Sequence, residues 1–540
     1  MSRSTETRQK TTVMARAYSV WKISALSMVA LAAAAPIVAT LVAGFLAGGP
    51  DMQMWSRVGV DYLVGTIVLC VLVGIGALLI GAGAAMIVAL TDFPGRRFFS
   101  VALALPFAIP AYVAAYAYAD ILGPFGGVAA LIGPGHIPEI RSLPGAAFVL
   151  TLMTYPYVYL AVTASLSGRS GALMETARSL GASPANAARR ILLGAGRPAL
   201  VGGLALALME TGADYGVADF FGARTLSVGI FRTWYGLGDL GAATQLAAGL
   251  FLVALLLVLM EEASRRGEGV ENVRAHRARA KLKLSKTDAG LAALACAIPA
   301  LLGFVIPAGV LIAKLDPNFS ASALRGLSQS AINTAFVAAA GAAAATLIAV
   351  SLAYAARRTS SKTGNMLLRI ATMGYAIPGA VIAIGILALT AGLARATGAA
   401  IAGGVAILLY AYVTRFLTAG YNAAAGGLQQ VSTQMDAAAR NLGAGYQRVL
   451  SKIHWPQTRG PILAGAAIIA IDIAKELPAT LLLRPFNFET LSTRIYRLAS
   501  DERLADAAPA ALLLITLGLI PTLAISHFTS DEKRRYSPPR

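Results

Sequence analysis

Apolar runs of membrane-crossing length recur along this 540-residue chain, and they narrow its fold further than any other feature. A hydrocarbon core about 30 Å thick takes about 20 residues of helix to cross. Within lipid, helices and closed barrels alone satisfy every backbone polar group internally. Twelve runs reach the helical length, near residues 24–46, 62–90, 98–120, 144–166, 199–217, 241–260, 289–313, 330–354, 369–393, 399–420, 461–483 and 507–528. They predict an all-α, polytopic membrane protein with about 12 transmembrane helices. With 57% hydrophobic and 13% charged residues, the chain has too little polar surface to cover itself in water, which excludes a soluble globular class.

Two polar stretches carry nearly the same words: Met174-Glu-Thr-Ala-Arg-Ser-Leu-Gly181 and Asp436-Ala-Ala-Ala-Arg-Asn-Leu-Gly443, with Leu180 and Leu442 262 residues apart. The register continues, since Arg190-Ile191 matches Lys452-Ile453 and Arg197 matches Arg459. The chain therefore divides into an amino-terminal segment (1–22), a first module (23–260), a charged linker (261–288), a second module (289–528) and a tail (529–540). Six runs per module is an even number, so the two repeats are parallel rather than inverted. Most of the 45 Lys and Arg residues fall in the termini, the linker and the two repeated loops, which places all of these on the cytoplasmic side. The net charge of +19 thus reads as a topology signal; its basic residues are scattered without aromatic interleaving, which argues against nucleic acid as a partner. The first run is too long for a cleaved signal peptide, and further spans follow it.

Each repeated loop lies between the fourth and fifth runs of its module and is rich in helix formers, with Gly181 or Gly443 standing where a helix would stop. A short helix, a turn and a second helical stretch make a knob that a partner's groove could hold. The Glu-Ala-Ala-like run followed by Gly, then Ile and a downstream Pro, resembles the cytoplasmic coupling-loop signature of bacterial ABC importer permeases. Leu105-Pro-Phe-Ala-Ile-Pro-Ala-Tyr112, Met209-Glu-Thr-Gly-Ala-Asp-Tyr-Gly216, Lys475-Glu-Leu-Pro-Ala-Thr-Leu-Leu-Leu-Arg-Pro485 and Glu489-Thr-Leu-Ser-Thr-Arg-Ile-Tyr496 look like the fused, two-module permeases of ferric iron importers. The resemblance implies that Glu175, Ala177 and Gly181, with Asp436, Ala437, Ala439 and Gly443, belong to helices that dock on two ABC ATPase subunits. It also implies a periplasmic substrate-binding protein as partner and a bacterial inner-membrane location. Two departures stand out: the acid of the second loop is one place early, with Ala437 aligned to Glu175, and the Pro after Ile is Pro456 in one copy but Gly194 in the other.

No Walker A loop exists, because none of the ten lysines follows a glycine. The chain is therefore expected to be no enzyme and to bind no cofactor itself, with ATP and Mg held by the separate ATPase. Pro110 and Pro378 occupy matching places in the third and ninth runs and predict kinks lining a central path. Glu210, Asp214 and Glu476, with Lys475 beside the last, are ionisable groups in apolar surroundings. As oxygen donors they suit a passing hard cation; an internal Lys475–Glu476 ion pair is the structural alternative. No confident metal site emerges, and His454, beside Trp455 in the second loop, is expected on the docking surface. A twelve-span secondary transporter is the rival reading. It rests on Asp92-Phe-Pro-Gly95-Arg96-Arg97, an incomplete match to that class's loop signature, and leaves the repeated loops unexplained. Thiamine, phosphonate or another small solute are the alternative cargoes.

Overall fold

A computed structural model describes the chain apart from residues 1, 47–57, 125, 134–135, 137–138, 167–169, 266–281, 317–320, 358–360, 399–403 and 536–540. Most of the expected linker and the end of the expected tail thus lie outside the described residues. The fold is all-α. Its one strand pairing among the described residues is a two-residue parallel ladder, Thr91–Asp92 with Leu282–Lys283.

After α1 (Ser2–Leu46), the first half runs through α2 (Val60–Ala77), α3 (Gly83–Leu90), α4 (Arg96–Ala102), α5 (Ala111–Leu122), α6 (Gly127–Ile132) and α7 (Leu143–Leu166). It continues with the loop helices α8 (Ser170–Ser179) and α9 (Pro184–Leu193), then α10 (Arg197–Ala213), α11 (Gly216–Phe220), α12 (Leu226–Phe231) and α13 (Leu240–Arg265). The second half opens with α14 (Lys286–Ala300) and α15 (Ile306–Ala313), then α16 (Ala321–Arg357), α17 (Lys362–Ala371), α18 (Gly379–Thr397) and α19 (Val405–Gln429). Its loop helices are α20 (Thr433–Asn441) and α21 (Tyr446–Val449), followed by α22 (Trp455–Lys475), α23 (Pro478–Leu483), α24 (Leu491–Ser500) and α25 (Leu504–Arg535).

Among the described residues eight helices are long and apolar enough to cross a membrane, or nine when the pair Asn186–Leu193 and Arg197–Ala213, bent by 69°, counts as one. The runs expected near 399–420, 461–483 and 507–528 are helical as α19, α22 and α25, consistent with twelve spans. Arg415 in α19 and Asp472 with Lys475 in α22 dilute their apolar character.

The prolines of the third and ninth runs do more than kink. Each run is interrupted by a 3-10 turn, Leu105–Ala108 or Gly374–Ala376, and restarts with Pro110 or Pro378 as the residue before the new helix. The residue before proline is driven into the extended region by the ring, and the halves agree closely: Ile109 has φ −93°, ψ 123° and Ile377 φ −94°, ψ 126°.

The chain packs as two compact units that do not coincide with its two halves. Unit 1 comprises Met1–Ala43, Ala335–Ala474 and Leu482–Phe486; unit 2 comprises Gly44–Thr334, Lys475–Leu481 and Asn487–Arg540. In unit 1, α1 from the first half lies on the second-half helices α18 and α19. Leu26 and Ala30 join Ala349, Leu352, Ala371 and Leu417 in one core, and the Tyr410 hydroxyl donates to the Ala32 carbonyl. A Cβ at Gly385 would stand 2.0 Å from the Pro36 carbonyl oxygen, so glycine is what lets these backbones meet. In unit 2 the mirror exchange occurs. Cys296 of α14 is buried in the core built from α2, α3, α7 and the first loop, and the Tyr118 hydroxyl donates to the Leu302 carbonyl.

Candidate functional site

The two repeated loops stop their first helix in the same way. Ala182 N–H donates to Ala177 O at 3.1 Å and Gly181 N–H to Arg178 O at 2.9 Å; Ala444 N–H donates to Ala439 O at 3.0 Å and Gly443 N–H to Arg440 O at 2.9 Å. This paired closure needs a left-handed residue, and Gly181 and Gly443 supply it at φ +83° and +80°. The stop turns one leucine of each loop outward: Leu180 is 81% exposed and Leu442 87%. Glu175 and Ala437 are exposed, and Ala177 and Ala439 half-buried. Ser183 caps α9 through Asn186 N–H, and Ser432 caps α20 through Met435 N–H.

Beneath that shared surface the loops are anchored by different chemistry. Met174 is buried with Ala187 and Ile191 against Val88, Ala89 and Leu90, and Leu192 packs on the same cluster. The residues 262 places on are Asp436 and His454. Asp436 Oδ1 faces His454 Nε2 at 2.7 Å, and Arg357 donates to Asp436 Oδ2 at 3.2 Å while also donating to the carbonyls of Leu428 (2.6 Å) and Val431 (2.8 Å). His454 Nδ1 meets the Tyr354 hydroxyl at 3.2 Å, with the two rings stacked 5.6 Å apart. Burial pushes the Asp436 carboxyl up, but the hydrogen bond from His454 and the charges of His454, Arg357 and Arg440 outweigh it and leave the group below its ordinary 3.8. His454 is 5% exposed, so it belongs to this anchor and not to the docking surface expected for it.

The second departure in sequence also has a structural counterpart. At Gly194 the first loop breaks, with φ −93° and ψ −96°, and α10 sets off at 69° to α9. At the matching Pro456 the second loop runs on through a π turn, Leu450–His454, into α22. A proline near a helix start removes an N–H that has little to bond with, and a widened turn just before it gives the ring room.

Within the apolar region, Asp214 and Glu476 do the same job. Val217 and Ala218 N–H donate to Asp214 Oδ1 at 2.9 and 3.3 Å. Ala479 N–H donates to Glu476 Oε1 at 3.1 Å, and Thr480 N–H and Oγ1–H to Oε2 at 3.0 and 2.9 Å. Each carboxylate satisfies the open amides of the short helix that follows a long one, α11 or α23. The equivalence pairs Asp214 with Glu476, 262 places on; Glu210 lies one turn earlier on α10 and is exposed. Lys475 Nζ donates to the Phe107 carbonyl at 3.0 Å, at the break of the third run.

One polar group of unit 2 escaped sequence reasoning. The Tyr496 hydroxyl donates to Asp219 Oδ2 at 2.7 Å, and the Tyr215 hydroxyl lies 2.8 Å from the Tyr496 hydroxyl and 3.3 Å from Asp219 Oδ2. Arg232 is 4.0 Å from Asp219 Oδ1. Asp219 and Tyr496 are 277 residues apart, so no local pattern joins them. Among the described residues no three His, Cys, Asp or Glu side chains converge as a metal site.

Repeated apolar helices, broken spans and twin loop helices make this an all-α, multi-pass membrane protein. The chain belongs to the family of binding-protein-dependent transport system inner membrane components, whose pattern it matches over residues 341–531. It is 24% identical over 478 residues to the Fe(3+)-transport system permease protein FbpB 2 of Haemophilus influenzae, covering 87% of this chain and 90% of that protein. It is 31% identical over 195 residues to the sulfate transport system permease protein CysW of Synechocystis, covering 34% of this chain and 70% of that one. The probable sulfate transport system permease protein cysT of Nephroselmis olivacea is 32% identical over 125 residues, 23% of this chain and 44% of that protein.

Proposed function

We propose that the chain carries both transmembrane modules of an ATP-driven importer of ferric iron, with both repeated loops and both termini cytoplasmic. The observation that carries the cargo is extent: the similarity to the ferric iron permease runs over 87% of the chain, whereas the sulfate permeases cited above match 34% or less of it. Two separate ATPase subunits, binding ATP and Mg, grip the helices led by Glu175 and by Asp436 and Ala437, with Leu180 and Leu442 as the apolar contacts. Closure of the ATPases moves the loops, and alternating access follows as the packed helices rock between two arrangements. A periplasmic binding protein delivers the iron. Within unit 2, the broken span around Pro110 and the capped breaks at Asp214 and Glu476 line the path.

Sulfate is the second reading, favoured by the higher local identity to sulfate permeases. Proteoliposomes holding the chain with its genomic-neighbour ATPase and binding protein decide between them. ATP-dependent uptake of radiolabelled Fe(III) and none of sulfate is the expected result; sulfate uptake alone overturns the ferric reading. Loss of uptake when the ATPase is omitted tests the partner.

A further inference from the structure

We propose that Tyr215, Asp219 and Tyr496 form a transit site for a trivalent cation, held by two phenolates and one carboxylate. The assignment rests on the ferric reading and gives it a place in the chain. The three oxygens converge from the segment between α10 and α11, the end of α11 and the middle of α24, at mutual separations of 2.7, 2.8 and 3.3 Å. Adjacent donors of an octahedron with bonds of about 2.0 Å stand about 2.8 Å apart, so the trio already outlines one octahedral face. The stacking of Tyr215 on Phe231, with centroids 3.7 Å apart, fixes one phenol. Asp219 and Tyr496 are partly open, which leaves the opposite face for water or a delivered chelate.

A separate observation points into the same place. The Tyr116 hydroxyl, on a side chain only 2% exposed, faces Tyr496 and Ser500 without a hydrogen bond of good geometry, and its ring packs edge-on against Phe220 beside Asp219. A buried hydroxyl left open is uncommon, and here it supplies a further oxygen beside the trio.

With the site empty, both phenols keep their protons, and Asp219 has Arg232 as its counter-charge. A trivalent cation forms three metal–oxygen bonds and breaks two O–H bonds. Two protons leave to solvent, the three donor charges offset those of the ion, the half-exposed Arg232 is released to water, and no electron moves. Hard oxygen donors suit such an ion.

The test uses the full chain in nanodiscs, titrated with Fe(III) supplied as its nitrilotriacetate complex. The expected results are a visible phenolate-to-iron charge-transfer band, release of two protons per iron, and affinity lowered at least about tenfold by Tyr215→Phe, Tyr496→Phe or Asp219→Asn. Tyr410→Phe, in unit 1, leaves the band unchanged. Absence of the band in the wild-type chain, or its survival in the Tyr215→Phe/Tyr496→Phe double variant, overturns the site. The uptake assay separates the two ideas: undiminished iron uptake by the double variant removes the site and leaves the cargo reading standing. Sulfate uptake in place of iron removes the cargo reading.

Discussion

Met174 and Asp436 hold equivalent places in the two loops and answer to different rules. Met174 holds its loop by apolar packing, so Met174→Ala is expected to cost about 2–5 kcal/mol through lost contacts and a cavity. Asp436 holds its loop by charge-assisted hydrogen bonds that keep some contact with water, and Asp436→Asn is expected to cost about 1–2 kcal/mol. Hydrogen exchange of the amides at 433–441 reads the loss, as opening about 5–30-fold more frequent. The pH dependence follows from the direction of the shift. A carboxyl whose folded value is depressed stabilises the fold above its unfolded value near 3.8 and loses that contribution only as pH falls through the lower folded value. Exchange at 433–441 is therefore expected to show no Asp436-dependent change between about pH 5 and 8. The sequence displayed Asp436 as an acid one place early. That it turns inward depends on Arg357 and His454, which reach it from other elements, and on Tyr354 behind His454, and no spacing rule encodes that.

At the scale of elements, punctuation was legible and depth was not. Gly181 and Gly443 announced helix stops, and the stops are there in matching geometry. Replacing either by Ala forces a left-handed β-carbon and is expected to cost about 1 kcal/mol. Each variant is expected to weaken ATPase docking and lower transport-coupled hydrolysis, measured on the reconstituted complex, and to leave expression intact. Pro110 and Pro378 announced kinks but deliver full interruptions. In the first half Pro106 adds a second site without an N–H donor four residues earlier; in the second, Gly374 accepts a backbone approach in which a Cβ would lie 1.8 Å from the Thr414 oxygen. Asp214 and Glu476 read as ionisable groups awaiting a cargo. Their lone pairs are engaged by amides of α11 and α23, a use that becomes visible once the helices are known to break there.

For the molecule as a whole, the repeat was legible from two short polar stretches, whereas the exchange of first helices was not. Periodicity tells that α1 and α14 are apolar, not which core receives them. Each compact unit draws on both halves, so a chain cut within 266–281 is expected to give two fragments that co-purify when co-expressed and fail to accumulate when made alone, as detergent-stable yield would show. Gly385→Leu, which drives a side chain into the Pro36 carbonyl, is expected to cost several kcal/mol and lower the yield of the intact chain in the same assay.

The bond from the Thr40 hydroxyl to the Val381 carbonyl spans 341 residues. A ribosome adding about 5–20 residues per second reaches Val381 roughly 20–70 s after Thr40 has emerged. During that interval the earliest helix sits in lipid with its destined neighbours unmade. Birth of this protein therefore includes a waiting period, in which α1 stands apart from the core it later joins.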